Sequence, residues 1–494
     1  MTLTEVLDRA RAAAGRLDRH VVLAGRSRRH GVDGGVELIL APDGAFVERF
    51  RGRIATTTGF DGRSGWALDL SGMPMILDLD ELETPRLVFG VLSGRWLYDE
   101  RSFDVELDPT RAGDTGIALR IGLRGAAAGA TLLLDRASFL PMRLERPLVG
   151  WQRTWEFDAF RAEGGVTLPR RVTQTQGGLA DVDRFQTLLP LDADPSLVYR
   201  AITAEPEDAR YDATIPPRIE LMKIPTGHVF VRPRIDGQEV GWFAFDTGSG
   251  AGFTLLAEVA DRLGMPRFGE VAGGGAGSAM HVLAMRQGRT FQLGPVTIDN
   301  SVYVELPAEL NVTMKRLADI DVVGTCGYDL FRRCIVEMDL GGGEAFLHPR
   351  DGGPGADAWF DLTLQHRIPS IRCRFEGEHE GLFQVDTGAG PLVLFHSPAV
   401  ERLRLLEGRQ VQAMPVQGAA GSVDTMVGEL GWIEIAGRRR TDVPAMFVTG
   451  ASGALADPHT LGTLGGILLA PSKLLFDYGR RRMAVVMRPR EAAG

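Results

Sequence analysis

The tripeptide Asp-Thr-Gly occurs twice, at Asp246-Thr247-Gly248 and at Asp386-Thr387-Gly388. Each copy follows an apolar run, Phe243-Ala244-Phe245 in the first and Phe383-Gln384-Val385 in the second. Aligned without gaps, GWFAFDTGSG (241–250) and GLFQVDTGAG (381–390) agree at six of ten positions, where roughly 7% per position would give less than one by chance. A lone Asp in such a tripeptide usually caps the backbone N–H groups of a turn. Two of them brought together could do chemistry. Carboxyls about 3 Å apart cannot both ionise, so they hold one proton and a water between them; one takes a proton from that water while the other donates to a carbonyl oxygen.

Other chemistries find no residues to carry them. Cys326, Cys334 and Cys373 make no CxxC pair, which leaves a disulfide framework or a thiolate zinc site unsupported. His379-Glu380 never becomes HExxH. Ser278 and Ser422 sit in no GxSxG frame. Gly273-Gly274-Gly275 lacks the Gly-Lys-Ser/Thr of a phosphate loop. His281 and His396 lie near the repeat's turns without partner spacing and read as surface or packing histidines. The chain therefore predicts no metal and no cofactor. Its formal net charge of −9 has the wrong sign for a phosphate-backbone binder, so no nucleic-acid partner is expected. No apolar stretch is long enough to span a bilayer, and the N-terminus lacks the apolar core of a signal peptide.

The elements that must position the acids repeat as well. DVVGTCGYDLFRRCIVEMDL (321–340) and HTLGTLGGILLAPSKLLFDY (459–478) share Gly324/Gly462, Thr325/Thr463, Gly327/Gly465, Leu330/Leu468 and Asp339/Asp477. Each copy reads as an apolar strand into Asp-Thr-Gly, a short helix (255–265 or 398–406), a glycine-rich tip (272–280 or 417–426) and two closing strands. Length alone predicts two to four domains. The residues divide it into a β-rich domain over 1–195, a linker over 196–217 rich in Asp, Glu, Ala and Pro, and two similar segments over 218–352 and 353–494. In the first domain the pattern predicts an amphipathic helix over 2–17 capped by Thr4, hairpins at Asp43-Gly44 and Asp61-Gly62, and a helix opened by Thr84-Pro85. The fold class expected is mainly β with a few helices.

On these motifs, residues 218–490 resemble the aspartic protease superfamily in its bacterial retropepsin-like branch. The resemblance implies two acid-protease lobes forming a bilobal pseudo-dimer, with Asp246 and Asp386 as the catalytic pair. Support of the loops falls to Thr247, Gly248, Ser249, Thr387, Gly388, Ala389, Gly324 and Gly462, and the flap role to Gly274, Gly275, Gly277, Gly418 and Gly421. Where retropepsins commonly place Asp or Ser after Asp-Thr-Gly-Ala, this chain has Gly250 and Gly390.

The N-terminal segments FDGRSGWALDLSG (60–72), LLLDRASFLPMRLE (132–145) and FRAEGGVTLPRRV (160–172) resemble the turns of the periplasmic lipoprotein-carrier fold. That resemblance implies an open β-barrel with a concave surface for a lipid or lipoprotein ligand. The function expected is that of an aspartic endopeptidase with a peptide or protein substrate. The alternative is a non-catalytic envelope protein that binds a peptide, lipoprotein or lipid. The resemblances suggest the periplasm or cell envelope, against an N-terminus without a signal. Ser249 against Ala389 is the one difference between the two tripeptides' following residues. A serine hydroxyl donated to its neighbouring carboxylate would favour a charged Asp246 and leave the shared proton on Asp386.

Overall fold

The computed structural model describes every residue except 112–115, 150, 307–314, 316–318, 391–392, 451–452 and 488–494, so the end of the second expected segment lies outside the described residues. The fold is mainly β. The chain forms two compact units, one of Met1–Pro206 with Phe268–Ala272, the other of Glu207–Arg267 with Gly273–Gly494. No helix among the described residues is long and apolar enough to cross a membrane.

The first unit is built on a 13-stranded antiparallel sheet running from Pro74–Leu77 at one edge to Phe103–Leu107 at the other. Alternation sets which side chains enter its core: in Ala130–Asp135 the buried residues are Ala130, Leu132 and Leu134. Two helices cover that face. Leu3–Ala14 contributes Val6, Ala10 and Ala14, and Leu79–Leu92 contributes Leu87, Val91 and Leu92, to the cluster that holds Leu38, Phe46, Leu119 and Leu144. A hollow of about 10 Å³ beside Phe46, Phe89 and Phe103 has room for a single water.

Two helix starts differ from the sequence reading. Thr2, not Thr4, caps the first helix: its hydroxyl accepts from Glu5 N–H while Glu5 accepts from Thr2 N–H, a reciprocal box that needs an acid three residues on. The second helix begins at Leu79, so Pro85 lies inside it. Acids explain the earlier start. Asp80 and Glu81 complement the helix N-terminus, and Asp80 and Glu83 both accept from the wholly buried Arg146 guanidinium, at 2.8 and 2.9 Å.

The stretch expected as a linker, 196–217, is largely built into the units. Tyr199 is buried in the first, where its carbonyl accepts from the Trp66 indole at 3.1 Å. In the second, Ala209–Tyr211 is a strand paired with Val296–Asp299, and Asp208 forms an ion pair with the buried Arg333.

The second unit contains two sheets of like order. In one, Met222–Lys223, Val229–Val231, Trp242–Phe245, Val322–Cys326, Phe253–Leu256 and Val302–Leu306 are successive neighbours; in the other, Thr363–Gln365, Ile368–Phe375, His379–Asp386, Gly462–Gly465, Val393–Phe395 and Arg438–Val448. The senses match too. The strand that ends at each Asp-Thr-Gly runs parallel to its Val322–Cys326 or Gly462–Gly465 neighbour, which is antiparallel to the next. A third sheet joins the halves: Ile335–Asp339 pairs antiparallel with Ser472–Asp477, Val336 opposite Phe476 and Met338 opposite Leu474. Phe331, Phe476, Tyr328 and Tyr478 pack in tilted and edge-to-face pairs across that junction.

Removing one partner of a buried ion pair strands the other charge at a cost of about 3–5 kcal/mol, and Asp329 also faces Arg333 and softens the loss. Asp208→Ala should therefore destabilise the second unit by about 3 kcal/mol, read as a lowered denaturant midpoint. An unchanged midpoint would show that the stretch before Arg218 contributes nothing to that unit.

Candidate active site

Each Asp-Thr-Gly turn is made locally by its own aspartate. Asp246 Oδ1 accepts from Gly248 N–H at 2.7 Å, and Asp386 Oδ1 accepts from Gly388 N–H at 2.8 Å. The apolar residues ahead of the turn anchor it, since Phe243, Phe245, Phe383 and Val385 are all buried.

Threonines then lock the two turns together. Thr247 N–H donates to Thr387 Oγ1 at 3.1 Å and Thr387 N–H donates to Thr247 Oγ1 at 3.0 Å. Each hydroxyl passes its own proton across, from Thr247 to Val385 O and from Thr387 to Phe245 O, both at 2.7 Å. Both threonines are buried. The glycines permit the approach: a Cβ on Gly248 would stand 2.4 Å from the Asp386 carboxyl carbon, and one on Gly388 2.4 Å from that of Asp246. Only hydrogen fits there.

Asp246 and Asp386 are brought into hydrogen-bond contact with each other. Both carboxyls are held above the usual carboxylate range, chiefly because burial penalises charge. At Asp246 the neighbouring Asp386 charge adds to the rise; at Asp386 the hydrogen bond with Asp246, the Gly388 N–H and the His228 imidazole each oppose it. Two carboxyls in contact cannot both ionise freely, so the pair holds one proton between them. The support that Ser249 was expected to give a charged Asp246 loses its basis. The physical reason lies in the serine's direction: its Oγ is 2.9 Å from Thr325 Oγ1, which also meets Thr254 Oγ1 at 2.9 Å, so the hydroxyl serves a threonine chain behind the loop.

The remaining expected residues fall as follows. A Cβ on Gly324 would lie 2.3 Å from Thr254 O, and one on Gly462 2.4 Å from Leu394 O, so each glycine lets a neighbouring strand press against its own. Ala389 N–H donates to Asp386 O at 3.3 Å, as Ser249 N–H does to Asp246 O at 3.2 Å. Gly274 ends the strand Arg267–Gly274, and Gly275, Gly277, Gly418 and Gly421 stand at two hairpin tips that touch. Ala420 N–H donates to Ala276 O at 2.7 Å and Ala279 N–H to Ala420 O at 3.0 Å. A Cβ on Gly418 would lie 2.2 Å from Ala276 O.

Gly250 and Gly390 have a steric reason of their own. A Cβ would stand 2.1 Å from His366 O at Gly250 and 2.7 Å from Thr226 O at Gly390. Each half thus lays a hairpin on the other half's loop. Through the second of these hairpins comes His228, which the sequence reading missed. Its ring lies between Thr226 Oγ1, 2.8 Å from Nδ1, and the Gly388 carbonyl. No spacing rule would find a histidine eighteen residues ahead of Asp246; only its place in the repeat could.

His396 is a packing histidine of an unusual sort. Wholly buried, it bridges Thr463 Oγ1 at 3.0 Å and Thr460 Oγ1 at 2.9 Å, and burial lowers its pKa to about 4, so it is neutral at ordinary pH.

Residues 371–468 match the aspartyl protease family model. The match takes in Asp386 and Gly462. No curated protein matches the chain. Among solved structures, a LolA superfamily protein from Nitrosomonas europaea aligns with 40% of this chain and 98% of its own at 15% identity. Its TM-score is 0.29, a likeness too slight to bear on the fold.

Gly388→Ala tests the close approach. The added methyl overlaps the Asp246 carboxyl, and overpacking of this kind costs about 1–3 kcal/mol. The thermal midpoint should fall and the threonine hydrogen bonds should lengthen. A variant as stable as the parent would mean that the loops stand further apart.

Proposed function

We propose that the second unit is a single-chain aspartic endopeptidase, with 218–352 and 353–494 as its two lobes and Asp246 with Asp386 as its catalytic pair. The observation that carries this reading is the reciprocal threonine bonding that sets two burial-raised carboxyls in contact. The match of 371–468 to the aspartyl protease family model supports the reaction class.

Aspartic peptidases as a class work through such a pair. Asp386, the charged member, takes a proton from a water held between the carboxyls. That oxygen attacks the amide carbonyl carbon as Asp246 gives its proton to the carbonyl oxygen. The tetrahedral carbon then expels the amine, which is protonated from the pair. The touching hairpin tips around Ala276 and Ala420 are the flaps, which must part to admit a peptide. Both acids belong to the second unit. A lipid or lipoprotein ligand of the first unit rests on the sequence resemblance alone.

A peptide library incubated with the full chain at mildly acidic pH, with and without pepstatin, tests the reading. Cleavage blocked by pepstatin supports it, whereas peptides retained uncleaved would point to the binding alternative. Asp386→Asn should lower kcat/KM at least about 100-fold, the lower end of what acid–base groups contribute.

Stability gives a second check. A carboxyl whose folded pKa is raised binds more proton in the folded than in the unfolded chain. Its contribution is therefore lost as pH rises from the unfolded value of about 4 through the folded one. Asp246→Asn removes that loss. Its thermal midpoint relative to the parent should climb as pH rises from about 4 to 7, with activity gone; a constant difference would show that Asp246 is not held protonated.

A further inference from the structure

The two loops are close to equivalent, yet their surroundings are not. In each turn the carboxyl accepts one N–H, from Gly248 or Gly388, and the aspartate's backbone carbonyl accepts the next, from Ser249 or Ala389. A symmetric pair would give the proton no preferred side. Something outside the loops must break the symmetry.

The difference lies in the hairpins that cross between the halves. The offset of 140 residues that relates Asp246 to Asp386 also relates Thr226, Gly227 and His228 to His366, Arg367 and Ile368. The contacts obey the same equivalence. The Thr226 carbonyl faces Gly390 as the His366 carbonyl faces Gly250. Beyond them, His228 Cε1 is 3.3 Å from the Cβ position of Gly390, and Ile368 Cγ1 is 3.6 Å from that of Gly250. An imidazole flanks one aspartate where an aliphatic chain flanks the other.

The imidazole is fixed at both ends, by Thr226 Oγ1 at Nδ1 and by the Gly388 carbonyl. The charged group facing it from the catalytic loop is Asp386. The helix Gly466–Leu469, which packs on Gly227, has no ionisable residue. On its own hairpin, Lys223 is exposed.

We propose that His228 is a positioning residue that makes Asp386 the charged member of the pair and Asp246 the protonated one, giving the site a fixed polarity. Burial holds the imidazole below its ordinary value and Asp386 pulls it back up. Below that midpoint the ring is a cation beside Asp386, and a cation favours the neighbouring carboxylate's ionised form. The direction of attack on a peptide rests on the peptidase reading; the charge asymmetry does not.

Two measurements on the full chain separate those statements. In the first, the titration of His228 is followed by NMR of histidine-labelled protein, assigned with His228→Gln. Asp386→Asn should lower the His228 midpoint by about 0.3–1 unit, since it removes the facing anion; an unchanged midpoint overturns the proposal. The second follows the pH–rate profile on a cleaved peptide. With no cation to favour the singly charged pair, that pair takes up its second proton at higher pH. His228→Gln and His228→Ile should therefore move the acid limb upward by about 0.3–1 unit, with kcat changing more than KM. If those variants fail to fold, Thr226→Val frees Nδ1 and should shift the limb the same way by less. An unmoved acid limb in a folded His228 variant overturns the proposal. A shifted His228 midpoint in a protein that cleaves no peptide overturns the peptidase reading and upholds the charge asymmetry.

Discussion

Four hydrogen bonds between Thr247, Thr387 and the strands they face hold the centre of the second unit, and its other features follow from them. Each hydroxyl accepts one N–H and donates to one carbonyl, so no buried polar group of the crossing is left unmet. The bonds run between halves of the chain 140 residues apart. They make the two turns one object. Once the turns are joined at that distance, the residue after each threonine must lack a side chain, and the residue before it must meet its counterpart. Burial at that crossing is what chiefly raises the two carboxyls.

The same economy explains the departure at Gly250 and Gly390. The resemblance leads one to expect a side chain there that ties the loop to its surroundings. Here the tie is made by backbone, with the carbonyls of His366 and Thr226 where a Cβ would go. Behind the loops, hydroxyls and a neutral imidazole are arranged differently in the two halves: Ser249, Thr325 and Thr254 in one, His396, Thr463 and Thr460 in the other. The skeleton repeats and its filling does not.

That division also marks what was legible in the sequence. Asp-Thr-Gly and the glycines of the supporting strands are set by backbone geometry, so identity at fixed spacing survives in both copies and can be read. Helix starts were legible only in part. The box at Thr2 depends on Glu5 rather than on the threonine nearest the apolar run, and Pro85 could be held inside a helix whose first turn is fixed by the ions around Arg146. The 196–217 stretch has a linker's composition, yet Asp208 and Tyr199 find partners far away in sequence, which composition cannot report. Ser249 was legible as an asymmetry but not in direction, because its hydroxyl pairs with that of Thr325, 76 residues on. His228 escaped notice because its meaning comes from Ile368, the residue that stands in its place on the other side.

The joining of the halves by a shared sheet, Ile335–Asp339 against Ser472–Asp477, has a further consequence. In an assembly of two identical chains every codon is expressed on both sides of the crossing at once, so a change that helps one side is imposed on the other. Here each side has its own codons. The two sides of the crossing can drift, or be mutagenised, independently, and a library confined to one half varies the surroundings of one aspartate without altering those of the other.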